Sequence, residues 1–317
     1  MYTHLLNMYY PVAIFCHNRP EHLNKMLISL GENKEISETS AFFYIDGKKD
    51  TDESNSVEQT IKVAESCNLF KDKKIIIREK NIGMQKNVIS GISEVLETNE
   101  SVIVLEDDLI FSKYYLEFMN HALDFYKDYE NIWHINGWSF PNYITFRNKS
   151  SISNQMHSWG MGLFKDKWEV FSSDNDGLKN KVSNKSTEFK KKFNYGNSYN
   201  WVEEIEFNFT GRLKTFSCFW YQTIFLNDGL TVYPNKSLIF NTGNDGSGVN
   251  SGNNSRMDTK IFNGKIKKFV IPTSYSFFFK LNSKIFYNKN KIFKFFNYHR
   301  KKFTSFNNFK EYLKSKY

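Results

Sequence analysis

The sequence predicts an α/β fold with a mainly parallel central sheet flanked by helices. Short apolar runs alternate with stretches of helical periodicity from Val12 onward, and a polar cluster follows each run. One run, Val102-Ile103-Val104-Leu105, is apolar at every position, as in a strand covered on both faces.

The first strand reads from Val12 to Phe15 and breaks at His17-Asn18-Arg19-Pro20. Proline suits the first turn of a helix, and Leu23, Met26, Leu27 and Leu30 recur at helical spacing before Gly31. The second strand runs from Ala41 to Ile45 and ends at Asp46-Gly47; a helix follows with Val57, Ile61 and Ala64 on one face. Ile75 to Ile77 form a third short strand, with Arg78-Glu79-Lys80-Asn81 beyond its end. Gln85 to Leu96 then reads as a helix whose apolar face is Val88, Ile92 and Val95. The buried strand 102–105 runs straight into Glu106-Asp107-Asp108. In a parallel sheet the clusters 17–19, 46–50, 78–81 and 106–108 fall on one rim, beyond the carboxyl ends of the strands, where ligands gather.

A helix is expected over 114–129, and the chain is less regular beyond it. The segments 134–138, 157–162 and 241–248 combine Gly, Asn and Trp, residues suited to turns beside an amphipathic ligand. Asn-rich stretches near 172–199 and 250–264 read as loops.

The chain has 317 residues and three widely spaced cysteines, Cys16, Cys67 and Cys218, which argue against a disulfide framework and for a reducing cytosol. It has no apolar run of membrane-spanning length, and its first ten residues lack the pattern of a signal peptide. The formal charge of +9 is segregated. Residues 280–317 hold eleven Lys or Arg against Glu311 alone, which leaves residues 1–279 with a net charge of −1. Nucleic-acid binding is not expected from basic charge confined to a terminus. The aromatics among those lysines, including Phe286, Tyr287, Phe293 and Phe296, suit an anionic membrane surface instead.

Three adjacent carboxylates at the end of an apolar strand repel one another and pay for burial unless a cation meets them. Magnesium or manganese suits such oxygen ligands, with phosphate and water completing the shell. The competing reading makes Glu106 to Asp108 a turn or the start of the helix that follows Ser112. No phosphate-binding glycine loop, dinucleotide fingerprint, HExxH or GxSxG occurs. His17, His134 and His157 are far apart in sequence and read as local hydrogen-bonding residues or ligand contacts.

Several ordered pieces resemble bacterial sugar transferases related to the inverting animal N-acetylglucosaminyltransferase I, whose catalytic domain has the GT-A fold. They are PVAIFCHNRPEHL at 11–23, YIDG at 44–47, REKNIGMQKNV at 78–88, VIVLEDDL at 102–109, HSWGMGLFKDKW at 157–168 and FLNDGLTVYPNKSLIFNTGNDGSG at 225–248. The resemblance implies a GT-A-type nucleotide-sugar-binding domain over residues 1–250 and a basic, aromatic extension over 251–317. It places Arg19 near the nucleotide, Asp46 at the base or ribose, Asp107 at the ribose and Asp108 on a Mn2+ or Mg2+ ion. Glu106 contacts the sugar or nucleotide, while Arg78 and Asn81 match the donor-binding stretch after the third strand. The relatives carry an aspartate base where this chain has Ser217, and an unassisted hydroxyl is not basic near neutrality. Asp245, in a glycine-rich segment, is the expected substitute, with Glu203 and Glu204 in reserve.

The expected activity is metal-dependent transfer of a sugar from a nucleoside diphosphate, a UDP-sugar first, to a glycan or lipid-linked acceptor in cell-surface polysaccharide synthesis. The expected location is the cytoplasm, peripheral on the inner face of the cytoplasmic membrane. The alternatives are a sugar-phosphate nucleotidyltransferase and a noncatalytic carbohydrate-binding protein with a degenerate site.

Overall fold

The computed structural model describes residues 9–49, 55–141, 148–172, 178–246, 259–273 and 275–302, with side chains of the last helix described through residue 289. The first half alternates as expected: β1 (Val12–Cys16), α1 (Pro20–Leu30), β2 (Ser40–Ile45), α2 (Ser56–Ser66), β3 (Asp72–Ile77), α3 (Met84–Leu96) and β4 (Ser101–Glu106). Then come β5 (Leu109–Phe111), α4 (Tyr115–Tyr126), β6 (Ile132–Asn136), β7 (Ser150–Ser153), β8 (Met161–Phe164), α5 (Lys165–Ser172), α6 (Thr187–Phe193), α7 (Trp201–Phe209), α8 (Ser217–Leu226), β9 (Leu230–Pro234), β10 (Ile239–Asn241) and α9 (Phe277–Lys302).

Eight strands form one sheet in the order β3-β2-β1-β4-β8-β6-β9-β7, and β5 pairs with β10 in a separate antiparallel ribbon. β3, β2, β1 and β4 are mutually parallel; β8 opposes β4 and β6, and β7 opposes β9. The fold class is therefore α/β, with a mainly parallel sheet between helices. Strand order reverses at β1, since β2 and β3 lie on one side of it and β4 on the other. A crevice is expected beyond the carboxyl ends of β1 and β4.

β1 is buried at every position and β4 at all but Glu106. Close packing of α3 on the sheet requires Gly91, where a Cβ would come within 2.6 Å of the Phe15 ring and 2.9 Å of Tyr44. The third strand is longer than its apolar core predicts, because β3 is an edge strand whose Lys73 and Lys74 suit a half-exposed rim. Lys73 Nζ donates to the Ala64 carbonyl at the end of α2, 3.1 Å away.

Part of the Asn-rich stretch expected to be loop is helix α6. Ser186 caps it by accepting the Phe189 N–H, and Phe189 and Phe193 pack edge-on against Phe225. Of the competing reading of Glu106 to Asp108, the turn is present, at Asp107 and Asp108 between β4 and β5, but the helix start is not. The chain passes from Asp108 into β5, and α4 begins only at Tyr115 without a side-chain cap. All three cysteines are free and buried.

The stretch 259–289 packs on the sheet domain. Phe262 N–H donates to Ser237 O, and Ser276 N–H to Ile152 O on β7. One face of α9 is buried through Phe279, Asn282, Ser283, Phe286 and Tyr287. Phe286 and Tyr287, expected from sequence to offer apolar area to a membrane, lie instead against Phe140 in the core. No helix among the described residues is long and apolar enough to cross a membrane.

Candidate functional site

The crevice between β1 and β4 holds the acidic trio. Asp107 opens the turn after β4 and is tied to β1, its N–H donating to Phe15 O. Arg19 stands immediately before the first turn of α1, whose Pro20 needs no hydrogen-bond acceptor there. From that position Nη2 of Arg19 donates to Asp107 Oδ1 and to Asp108 Oδ2, the latter at 3.0 Å. Arg19 Nη1 is buried without a partner.

Asp107 and Asp108 are only 2% and 8% exposed, so two buried carboxylates share one guanidinium, with the partly buried Glu106 next to them in the chain. Burial, with mutual repulsion adding to it, pushes the Glu106 carboxyl well up from its ordinary range. Burial also raises Asp107, opposed by Arg19 and by a backbone hydrogen bond from His17. Although burial works against the Arg19 charge, Asp107 and Asp108 hold it ionised.

A distant segment closes the crevice. β10 pairs with β5 so that Asn241 faces Leu109, next to Asp108. Thr242 donates to the Asp108 carbonyl twice, from N–H and from its hydroxyl, both at 2.8 Å. The Asn241 amide reaches Asp108 Oδ1 at 3.4 Å, and its carbonyl oxygen accepts the Gly243 N–H at 2.8 Å. A side chain at Gly243 would overlap the Asp108 carboxylate, so the close approach requires glycine.

The oxygen donors and uncompensated negative charge around Asp108 fit a hard divalent cation. Asp108 Oδ1 keeps capacity beyond its long contact from Asn241. No set of three or more His, Cys, Asp or Glu side chains that could hold an ion occurs among the described residues, so phosphate and water would supply most of the ligands.

The remaining expected residues fall into two groups. Asp46 and Asn81 join the rim beside β1. Asp46 accepts the N–H groups of Gly47, Ile82 and Gly83, each at 2.9 Å, which fastens the loop after β3 to the end of β2. Asn81 donates to Gly47 O at 2.8 Å, and its amide lies 3.2 Å from His17 Nε2. Arg78 turns away onto α3, donating to Asn87, Ser90 and Glu94 at 3.0, 2.9 and 2.8 Å. Asp245 lies two residues beyond Gly243, but its side chain is about half exposed and pairs with His22 of α1 at 3.1 Å.

His134, His157 and Glu204 stand out in the sequence one by one, but the two groupings they belong to form only through tertiary packing. His134 and His157, widely separated in sequence, meet through a 2.9 Å contact between His134 Nε2 and His157 O. Trp220 Nε1 donates to His134 Nδ1 at 3.1 Å, so the proton of a neutral His134 sits on Nε2. Burial lowers both histidines to about 3. The second grouping is Glu204 of α7, which accepts the Tyr199 hydroxyl at the corner where α7 meets α8.

No protein-family model and no curated protein sequence matches this chain. Among solved structures it is similar to S. aureus TarS, at 15% identity over 75% of this chain and 37% of that one, with a TM-score of 0.45. It is also similar to TarS 1-349 in complex with UDP-GlcNAc, at 13% identity, 53% and 48% coverage and a TM-score of 0.37. A cytidylyltransferase from Leptospira borgpetersenii is similar at 12% identity, 53% and 65% coverage and a TM-score of 0.34. The chain spans less than two thirds of the length of each.

Proposed function

We propose that this chain is a GT-A-type glycosyltransferase, akin to the animal N-acetylglucosaminyltransferase I group. It moves a sugar from a nucleoside diphosphate, a UDP-sugar first, to a hydroxyl of a glycan or lipid-linked acceptor in cell-surface polysaccharide synthesis. The observation that carries this reading is the buried pair Asp107 and Asp108 on a single arginine, with Glu106 next to them, at the switch point of the sheet. Such a crevice carries excess negative charge, yet it also presents an unpartnered guanidinium nitrogen, Arg19 Nη1. An anionic ligand that arrives with a divalent cation satisfies both features.

In this reading Asp108 holds Mn2+ or Mg2+, which would offset the charge that develops on the diphosphate as the sugar departs. Arg19 Nη1 donates to a phosphate oxygen, while Nη2 keeps Asp107 and Asp108 aligned. Asp46 and Asn81 shape the wall for the nucleoside by holding the loops after β2 and β3 together. Arg78 contributes from behind by fixing that wall to α3.

Peripheral attachment at the inner face of the cytoplasmic membrane belongs to the same reading. It is supported by α9, which carries eight Lys or Arg and no acid. Calorimetry with UDP, GDP and dTDP, with and without Mn2+, tests the donor assignment. Metal-dependent binding of one of them, weakened in Arg19→Met, is expected. Failure of all three to bind would overturn the reading.

A further inference from the structure

We propose that Glu204, at the α7–α8 corner, takes the proton from the acceptor hydroxyl, which makes this corner the acceptor site. The inference rests on the transfer reading above. Ser217 opens α8, and its hydroxyl meets only another hydroxyl, Thr215 Oγ1 at 2.9 Å, which cannot make it a base. A carboxylate is brought to the same place by α7. Asn208, one turn after Glu204, donates to Glu204 O at 2.9 Å and to Cys218 Sγ at 3.3 Å, and accepts the Thr215 N–H at 2.9 Å. These bonds fix Glu204 against the first turn of α8. Gln85, in the first turn of α3, donates to Thr215 O at 2.7 Å, so the corner abuts the loop that Asp46 holds on the donor side.

The setting suits a proton acceptor for a sugar. Tyr199 donates to Glu204 Oε1, while Oε2 has no partner among the described residues. The carboxyl keeps some exposed surface, although burial raises its pKa to about 7. Its titratable neighbours are Tyr199, Glu203 on α7, Cys218 on α8 and Tyr287 on α9. Tyr199, which bonds it, lies in an aromatic group, its ring 4.9 Å from Trp201 and 5.7 Å from Tyr287 between centroids. The buried Trp201 Nε1 has no partner and can donate to a sugar oxygen. Asp245 has none of this environment, being about half exposed and paired with His22.

In the step assigned here the acceptor O–H proton passes to Glu204 Oε2 and the acceptor oxygen bonds the anomeric carbon. The bond from that carbon to the diphosphate oxygen breaks, and its electron pair leaves with the nucleoside diphosphate. A single displacement of this kind inverts the anomeric centre.

The test measures nucleotide-sugar hydrolysis, with water as acceptor, over UDP-, GDP- and dTDP-sugars, and nucleotide binding by calorimetry. Glu204→Gln should lower turnover about 10²–10⁴-fold and leave nucleotide affinity within about twofold. In wild type the acidic limb of kcat/KM should titrate near 7, and Tyr199→Phe should move that limb upward, because its hydroxyl bond lowers the carboxyl pKa. Turnover retained in Glu204→Gln, with wild-type turnover present, would overturn the role of Glu204 alone; wild-type nucleotide binding with no turnover of any donor would overturn the transfer reading and Glu204 with it. Absence of nucleotide binding in wild type also overturns the transfer reading.

Discussion

The Asn241 side chain lies 3.4 Å from the Asp108 carboxylate although 133 residues separate them. Thr242 and Gly243 complete the approach, so the ribbon of β5 and β10 sets the position of the proposed metal ligand. Replacement of Gly243 by Ala pushes a methyl group into Asp108 Oδ2. Turnover should fall at least tenfold and the Mn2+ concentration at half-maximal activity should rise, while thermal stability drops by only a few degrees. Metal titration of purified Gly243→Ala checks this. Unchanged metal dependence would mean that the clamp does not set the ligand.

Asp108→Asn separates charge from shape in the same place. It removes a buried negative charge from a crevice where Asp107 and Asp108 share one arginine beside Glu106, so the melting temperature should stay level or rise. Activity should fall by about 10²-fold or more, since the cation that would offset charge on the leaving group loses its anionic protein ligand. Thermal unfolding and turnover, measured on one preparation at fixed Mn2+, decide the matter. A variant as active as wild type under limiting Mn2+ would rule out Asp108 as the metal ligand.

The cluster proposed as the donor side was legible as a cluster because each of its parts follows an apolar strand. Arg19, Asp46, Asn81 and the acidic trio lie on one rim once the strands are parallel. The corner proposed as the acceptor side was legible only as a reserve carboxylate, Glu204, because its groups meet through tertiary packing. Nothing in the local pattern around Tyr199 and Glu204 distinguishes them from a solvated helix start, and the pairing depends on Asn208 bridging two helices. Asp245 carried the stronger local signal, a carboxylate among glycines, but its neighbour in space is His22. Arg78 likewise looked like a rim residue until α3 supplied Asn87, Ser90 and Glu94 for its guanidinium.

Glu204 should also leave a mark on stability. Burial raises its pKa in the folded state from 4.5 to about 7, so the fold favours the protonated form. That contribution is fully present below pH 4.5 and is lost as pH rises through 7. Glu204→Gln keeps the shape and the Tyr199 contact without a charge to bury. The variant should match wild type at pH 4.5 and exceed it at pH 8 by up to roughly 2–3 kcal/mol. Urea unfolding at the two pH values measures the difference, and an equal deficit at both would contradict a buried, titrating carboxyl.

The exposed face of α9 makes the membrane assignment testable without truncation. A chain cut at residue 280 would lose Phe286 and Tyr287 from the core, so its loss of binding could reflect unfolding. The outer face is available instead: Phe277 and Phe278 are 70% and 56% exposed, and Leu281 and Ile285 each 37%. Phe278, Leu281 and Ile285 recur at helical spacing opposite the buried face, with the exposed Lys280 and Lys284 between them. An apolar strip edged by lysines on a helix without acids matches an anionic bilayer, which takes the rings into its headgroup layer and the ammonium groups at its phosphates. Each lysine near such a surface contributes about 1 kcal/mol, so Lys280→Glu with Lys284→Glu should weaken binding to anionic vesicles about 30-fold or more. Phe278→Ser with Leu281→Ser should weaken it at both low and high salt, because apolar insertion is not screened. Neither double variant touches the buried face, so the fold and donor turnover should persist. Sedimentation with phosphatidylglycerol and phosphatidylcholine vesicles reads the outcome. Binding that ignores vesicle charge and both variants would overturn the assignment, as would a wild-type dimer in light scattering that both variants dissociate, which would give this face to a second copy of the chain.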